Sequence, residues 1–329
     1  MPEEDTGGMA PLSLKDVFPP VSTAEWEAAI QKDLKGADYQ KRLLWRTDEG
    51  ITVRPYYRAE DVAPDLTPIA RAGGPAWEQA EQWRPPADAI RADLLHDAGA
   101  TAVQELAWAL AEAAGRLADK PAPITFAFAA GSNYFFEIAK LRAARLLWAN
   151  AVAAFRPGYE HYAGARILVR TARSNKSVYD PYTNLLRAAT EALSAALGGA
   201  DALYVVPYGF DPRLGINLQR ILREEAHIGQ VADPAAGSYY LEALTDALAR
   251  EAWKLFQRME AEGQGALGLE TARAAKAQAA AARRRTLVGV NNYPDLKEKE
   301  PAAAPPAGEA NPFGEFRLAE PFERIRLRT

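Results

Sequence analysis

Two short segments and one histidine carry residue types that could perform chemistry. Gly131, Ser132 and Asn133 follow a predicted strand and precede a predicted helix, where α/β proteins expose the backbone that binds ligands. Ser132 would equally suit the N-cap of an ordinary turn, and residues 233–240 could form a binding loop or a tight connection. His96 could exchange a proton, although a single histidine often serves structure alone. These residues indicate a ligand-facing edge without fixing a reaction.

The composition argues against several classes of protein. The 329 residues include no cysteine and only three histidines, far apart in sequence, so we expect no disulfide framework, no metal site and no cysteine nucleophile. A formal net charge of −4 gives no reason to expect a nucleic-acid partner. No apolar run reaches the roughly 18 residues of a membrane span, and the polar N-terminus does not resemble a signal peptide. We therefore expect a soluble cytoplasmic protein with no membrane partner.

The first 61 residues are predicted to form an arm that contains a helix and a hairpin. Ser22 and Glu25 have the spacing of a capping box, and Gly36 suits the end of the same helix. Residues 43–55 alternate in polarity around a turn, which predicts a hairpin. Residues 62–91 are rich in Pro, Gly and Ala and are predicted to be a connector.

Beyond the connector, strands alternate with helices. Strands are predicted at 124–128, 166–170 and 202–206, and helices at 99–117, 134–155, 181–197, 215–225 and 241–262. Such alternation favours parallel βα units. A complete (β/α)₈ barrel takes about 250 residues, more than the repeating part of this chain provides. We therefore predict an α/β fold, a partial TIM-type (β/α) barrel of parallel strands with an N-terminal helical arm.

The incomplete barrel with its trailing helix is assigned to residues 92–296. Within it, residues 264–285 indicate a surface helix and 288–294 a short extended segment. Residues 297–316 are predicted to be a linker because they begin with Lys, Glu, Pro and Ala. Residues 317–329 resume an amphipathic pattern and are predicted to start a further C-terminal domain that is absent from this chain.

Several segments occur in the order of a known family. Residues 133–149 read Asn-Tyr-Phe-Phe-Glu-Ile-Ala-Lys-Leu-Arg-Ala-Ala-Arg-Leu-Leu-Trp-Ala, and agreement continues at 182–187, 190–192, 197–199 and 233–245. On these residues the chain resembles the methylmalonyl-CoA mutase family. Residues 26–55 are similar to that family's leading arm, so the resemblance implies that the arm (1–61) contacts another subunit. Residues 288–294 are similar to the segment after the family's barrel.

The resemblance implies a TIM barrel that places coenzyme A esters beside a separate cobalamin-binding domain. In catalytic chains of the family, adenosylcobalamin supplies a radical that interconverts (R)-methylmalonyl-CoA and succinyl-CoA, while the protein positions and shields that radical.

The chain departs from the catalytic members in four places. Residues 61–94 contain only a short connector where the family has its opening strands, its active-site Tyr and its thioester-binding Arg residues. Leu94 occupies the position of the catalytic His, and His96, two residues later, remains a candidate for that role. Residues 173–177 replace a Thr-Ser-Gly stretch beside the coenzyme A tail. The sequence has no Asp-x-His-x-x-Gly cobalamin motif.

These departures, with residues 175–182 and 322–326, make the chain similar to the small, non-catalytic subunit of heterodimeric mutases. The resemblance implies that this chain alone is non-catalytic, and that adenosylcobalamin and acyl-CoA are bound by a catalytic large subunit. Two family positions survive. Gln219 matches a residue that faces the corrin, and Glu242 matches a carboxylate that holds the adenosyl ribose. Both could instead satisfy backbone groups at helix ends.

Three functions stay open. The chain could support a catalytic mutase subunit, which is the leading interpretation. It could also be an active isomerase component completed by separate chains, in which His96 replaces the missing histidine. Finally, it could be a non-enzymatic module that associates with itself through an open sheet edge.

Overall fold

The computed structural model describes residues 17–63, 69, 74, 76–119, 122–155, 158, 161, 163–295, 297–298 and 308–326. The chain divides into two units, Met1–Arg46 with Thr52–Pro55 and Thr47–Ile51 with Tyr56–Thr329. Residues 1–16 of the predicted arm, 299–307 of the predicted linker and the terminal 327–329 lie outside the described residues. Among the described helices, none is long and apolar enough to cross a membrane.

The first unit contains the predicted helix and hairpin, with one additional short helix. Its elements are α1 (Thr23–Asp33), α2 (Tyr39–Leu43), β1 (Trp45–Arg46) and β2 (Thr52–Val53), the last two antiparallel. The Ser22 hydroxyl accepts a hydrogen bond from the Glu25 backbone N–H, and the Glu25 carboxylate accepts one from the Ser22 backbone N–H. This is the predicted capping box. None of the eleven residues of α1 is buried.

The second unit is built on a five-stranded parallel sheet. Its strands are β3 (Glu78–Gln79), β4 (Ile90–Arg91), β5 (Thr125–Ala130), β6 (Arg166–Thr171) and β7 (Ala202–Tyr204). They are hydrogen-bonded in the order β3-β7-β6-β5-β4, and each neighbouring pair is parallel. With helices flanking this sheet, the chain has an α/β fold consistent with a partial TIM-type barrel, which confirms the predicted fold class.

Helices follow the strands along the chain. They are α3 (Ala92–Asp97), α4 (Ala102–Asp119), α5 (Tyr134–Phe155), α6 (Pro181–Leu197), α7 (Pro212–Arg220), α8 (Tyr239–Glu262), α9 (Leu269–Ala281) and α10 (Glu320–Arg326). Helices α5 and α6 have the predicted bounds. Helix α3 was not predicted because it is short and largely buried, so it shows no amphipathic stripe.

The two faces of the sheet have different neighbours. Phe126 of β5 lies edge-on to Trp148 of α5, with ring centroids 6.1 Å apart, so this face of β5 packs against helices. Neighbouring residues in register point to the same side of a sheet. Ala129, Arg170 and Tyr204 are in register and lie on the opposite side from Phe126. We call this side the inner face.

The inner face is crossed by residues 80–89, which connect β3 to β4. Trp83 stacks on Tyr204 with ring centroids 6.5 Å apart, and the Arg170 guanidinium carbon lies 5.8 Å from the Trp83 ring centroid. The Trp83 indole N–H also donates to Asp93 at 3.2 Å. In a complete barrel, side chains from all eight strands fill the interior. In this chain the loop of residues 80–89 supplies part of the interior packing, through Trp83.

Two stretches near the sheet differ from their predictions. The predicted connector, residues 62–91, contributes β3 and β4. Strands of two residues are too short to produce a period-two pattern. Residues 288–294 form a turn instead of an extended segment. The Asn291 side chain holds this turn by accepting from the Leu287 backbone N–H and donating to the Ala280 carbonyl.

The last described residues pack on the second unit. Leu318 and Ala319, in the stretch predicted to start a further domain, are buried in one cluster with Leu287 and Val290. Residues 308–316, predicted as part of a flexible linker, are tied to the same unit by hydrogen bonds. Sequence composition could not show these contacts because their partners are distant along the chain.

Candidate functional site

The loops after β4, β5 and β6 meet at the carboxyl edge of the sheet, where α/β barrels bind ligands. At this edge the structure brings together Gly131 and His96, two of the residues that the sequence singled out. A Cβ added at Gly131 would lie 2.9 Å from His96 Nε2, so a side chain at this position would collide with the imidazole ring. Ser132, which follows, is exposed. The carboxyl edge is therefore the candidate functional site.

His96 belongs to a buried cluster of charged groups. Its Nδ1 lies 2.6 Å from one oxygen of Glu105, while Lys140 Nζ lies 2.8 Å from the other oxygen. Lys140 also contacts Glu137 at 2.7 Å and donates to the Ala129 carbonyl. The His96 side chain is 11% exposed, whereas Lys140 is fully buried. A carboxylate thus holds the imidazole of His96 in place. This arrangement is compatible both with an acid–base role and with a purely structural role for His96.

Opposite charges in this cluster stabilise the ionised forms. Burial alone would raise the pKa of Glu105, but His96 and Lys140 outweigh it and hold that pKa below its ordinary value. Burial would lower the pKa of Lys140, but Glu105 and Glu137 outweigh it and raise that pKa. Lys140 therefore stays a cation and Glu105 a carboxylate.

A second cluster joins the end of β4 to β6. Arg170 contacts Asp93 at 2.8 Å and Asp97 at 2.7 Å, and Arg91 contacts Asp93 at 2.8 Å. Asp97 also accepts from the backbone N–H groups of Arg173 and Ser174. Burial would raise the pKa of Asp97, but Arg170, His96 and the backbone N–H of Arg173 together outweigh it and lower that pKa. These contacts hold the β4 and β6 loops together.

Residues 173–177, which follow β6, include a buried ion pair with α6. Lys176 Nζ lies 2.6 Å from both carboxylate oxygens of Glu191, and Asn175 donates to the same carboxylate at 2.7 Å. Lys176 and Glu191 are fully buried. Burial lowers the pKa of Lys176 and raises that of Glu191, which moves both groups towards their neutral forms.

The C-terminal residues cross these loops. We call residues 308–319 the strap. The Phe316 backbone N–H donates to the Asp97 carbonyl at 2.9 Å, and that of Leu318 donates to the Ser174 carbonyl at 2.9 Å. The strap thus bridges the loops after β4 and β6.

Side chains add to these backbone contacts. Both carboxylate oxygens of Glu309 accept from Arg91, at 3.0 and 2.7 Å. The Asn311 amide donates to the carbonyl of Leu94 at 2.7 Å. Arg273 of α9 donates to the carbonyls of Phe313 and Gly314. The chain's own strap therefore occupies this part of the carboxyl edge.

The two predicted cofactor residues contact other parts of the protein. The Gln219 side-chain oxygen accepts from the Trp77 indole N–H at 3.2 Å. One oxygen of Glu242 accepts from Arg142 at 2.7 Å, and the other accepts from the Gly237 backbone N–H at 3.0 Å. Arg142 also pairs with Asp233. Both oxygens of Glu242 are thus engaged within the chain.

These contacts do not fit direct binding of adenosylcobalamin by Gln219 and Glu242 in this arrangement. A ribose hydroxyl would have to compete with Arg142 or Gly237 for Glu242. Within the described part of the chain, no group of three or more His, Asp or Glu residues could hold a metal ion. No reaction step is therefore assigned to a cofactor on these residues.

Most of the charged groups at the carboxyl edge were missed by the sequence reasoning. They are Asp93, Asp97, Glu105, Lys140, Arg170 and Glu191. The sequence does contain a signal for Arg170, because this charged residue directly follows the apolar run Ile-Leu-Val within β6. Lys140 likewise lies within a largely apolar helix. Charges at such positions are buried only when they are paired.

Comparisons with known proteins show which family the chain resembles. A family model described as methylmalonyl-CoA mutase matches residues 76–311. The methylmalonyl-CoA mutase small subunit of Porphyromonas gingivalis is 30% identical over 440 aligned residues, covering 85% of this chain and 71% of the relative. A probable small subunit from Mycobacterium tuberculosis is 37% identical over 71% of this chain and 42% of its own length. The methylmalonyl-CoA mutase of Cereibacter sphaeroides is 41% identical over 62% of this chain.

The parallel sheet and its carboxyl edge define an α/β protein of the partial-barrel kind. The matches are more specific: the chain belongs to the methylmalonyl-CoA mutase family and is similar to its small subunits. It spans 71% of the Porphyromonas gingivalis relative, but less than half of the Mycobacterium tuberculosis relative and a third of the Cereibacter sphaeroides one.

Proposed function

We propose that this chain is a non-catalytic, small-subunit-like partner of an adenosylcobalamin-dependent acyl-CoA isomerase that interconverts methylmalonyl-CoA and succinyl-CoA. The observation that supports this proposal is the strap. It bridges the loops after β4 and β6 at the edge where a catalytic barrel admits its substrate. In this proposal the catalytic subunit binds both the acyl-CoA and the cofactor.

The charges under the strap support the same function. Lys140 and Arg170, two of the buried cations at this edge, each contact two carboxylates of this chain. A site for the anionic groups of coenzyme A would need cations that are open to the ligand. At this edge the cations instead hold the loops in place, which suits a subunit that has kept the fold of the barrel without its reaction.

The N-terminal arm is the proposed contact with the catalytic subunit. Large apolar side chains of the arm are well exposed, among them Phe18 at 72%, Trp26 at 49% and Trp45 at 47%. Exposed aromatic residues of this kind are typical of protein interfaces. Because no residue of α1 is buried, this helix has an apolar surface that a partner can cover.

A second candidate function is an isomerase component completed by separate chains. The observation that favours it is the contact between His96 and Glu105, since a carboxylate that orients an imidazole is common in acid–base catalysis. Under this function His96 would exchange a proton with the substrate, and its removal would lower turnover by about 10²–10⁴-fold.

We expect the variant His96→Gln to leave turnover of the complex with the catalytic subunit and adenosylcobalamin unchanged. Glutamine keeps a donor for Glu105 but cannot exchange a proton near neutral pH. The measurement is steady-state isomerase activity, with His227→Asn, at an exposed histidine, as the matched control. A drop confined to His96→Gln, with unchanged thermal stability and complex formation, would assign catalysis to this chain.

A further inference from the structure

A set of large apolar side chains is exposed on the second unit. It consists of Tyr182 (70% exposed), Leu186 (69%), Val288 (52%), Tyr293 (81%) and Ile325 (63%). We call these five residues the outer patch. Single exposed apolar residues are normal on protein surfaces, whereas contiguous ones indicate an interaction site.

The elements that carry the outer patch are neighbours because hydrogen bonds join them. Tyr182 and Leu186 are four residues apart on α6, so they lie on one face of that helix. Arg187, next to Leu186, donates to the Val288 carbonyl at 2.6 Å. Helix α6 and the turn 288–294 are therefore neighbours.

Helix α10 extends the patch on the other side of this turn. Arg326, next to Ile325, donates to the Asp295 carbonyl at 2.8 Å and to the Gly289 carbonyl at 3.5 Å. Its guanidinium carbon also lies 4.0 Å from the ring centroid of Tyr179, just before α6. Helix α6, the turn 288–294 and α10 are thus neighbouring elements, and each carries exposed apolar side chains of the outer patch.

The charged residues near Ile325 could pair with the same residues of a second copy of the chain. Glu320 and Arg324 lie one turn apart on α10, 2.5 Å from each other, with side chains 40% and 69% exposed. If two copies of α10 pack antiparallel across a two-fold axis, Glu320 of each copy faces Arg324 of the other. A two-fold interface requires such self-complementarity.

We propose that the outer patch is an interface between two copies of this chain. The tyrosines would form its centre, since tyrosine is enriched among residues that dominate binding energy, and the Glu320–Arg324 pairs would fix the relative orientation. This inference concerns the chain alone and does not depend on the function proposed for its catalytic partner.

The first test measures the mass of the purified chain by size-exclusion chromatography with light scattering, over about a hundredfold range of concentration. We expect a concentration-dependent dimer. Leu186→Glu is expected to raise its dissociation constant at least about tenfold because it places a charge in the apolar centre. Val231→Glu, at a 57% exposed site outside the outer patch, is the control and is expected to dimerise normally.

The second test exchanges charges between two chains. Glu320→Arg and Arg324→Glu each place like charges opposite one another in a homodimer, so each variant alone is expected to be monomeric at concentrations where the wild type dimerises. Mixing the two variants restores both opposite-charge pairs in a heterodimer. Recovery of the dimer on mixing supports the antiparallel arrangement.

Three outcomes would overturn the proposal. The first is a wild-type chain that stays monomeric at every concentration. The second is a dimer that Leu186→Glu and the charge reversals do not weaken. The third is that Leu186→Glu abolishes binding to the catalytic subunit while self-association is unchanged, which would assign the outer patch to that subunit.

Discussion

Replacing Arg142 by alanine is expected to lower the free energy of unfolding by about 3–5 kcal/mol, the usual effect of removing one partner of a buried ion pair. Arg142 is 1% exposed and contacts the carboxylates of Asp233 and Glu242, which are themselves buried. Its removal leaves two buried carboxylates without their cation. It also removes an ion pair between α5 and α8, since Arg142 and Glu242 lie on these two helices.

Urea unfolding followed by circular dichroism would measure this change. Arg250→Ala is the matched control, because Arg250 pairs with Asp246 on the surface at 72% exposure and should leave the unfolding curve unchanged. Glu242→Gln should be milder than Arg142→Ala, since the amide oxygen can still accept from Arg142 and only the bond from the Gly237 backbone N–H is lost. If Arg142→Ala unfolds like the control, the assignment of Glu242 to a structural pair is wrong.

Replacing Trp83 by alanine is expected to lower the free energy of unfolding by about 3 kcal/mol. The indole packs against Tyr204 and the guanidinium of Arg170 on the inner face, and its N–H bonds to Asp93. Alanine would leave this part of the inner face open to water, because residues 80–89 carry Trp83 across it. The effect follows from the partial barrel, in which a loop takes a place that strands fill in a complete barrel.

Trp83→Phe separates packing from hydrogen bonding. Phenylalanine keeps most of the ring contact, while Asp93 retains its bonds to Arg91 and Arg170, so we expect a cost of about 1 kcal/mol. Thermal or urea unfolding of both variants gives the comparison. Equal stability of Trp83→Ala and wild type would mean that other residues cover the inner face.

The sequence predicts best those elements whose signals are local. The bounds of α5 and α6 agree with the structure because each helix has a clear start signal, such as Asp180 at the N-cap of α6 and Pro181 at its first position. The capping box of α1 likewise needs only Ser22 and Glu25. Strands β3 and β4 were missed because two residues show no period.

The candidate site was harder to predict because its contacts join distant residues. The pairs Arg170–Asp93, Lys140–Glu105 and Arg91–Glu309 are separated by 77, 35 and 218 positions. The resemblance identified Leu94 and His96 but could not show that Glu105 holds His96 or that Asn311 holds the Leu94 carbonyl. Residues 308–316 of the strap were predicted to be part of a linker, since composition does not show which backbone groups find partners.

The central claim is that this chain supports a catalytic subunit without performing the reaction itself. The most direct test mixes the purified chain with the catalytic subunit of a methylmalonyl-CoA mutase and adenosylcobalamin. Size-exclusion chromatography with light scattering then measures the mass, and turnover is assayed for each chain alone and for the mixture. The account predicts a stable complex of the two chains in equal numbers and no turnover by this chain alone. Unchanged elution and unchanged turnover on mixing would contradict it.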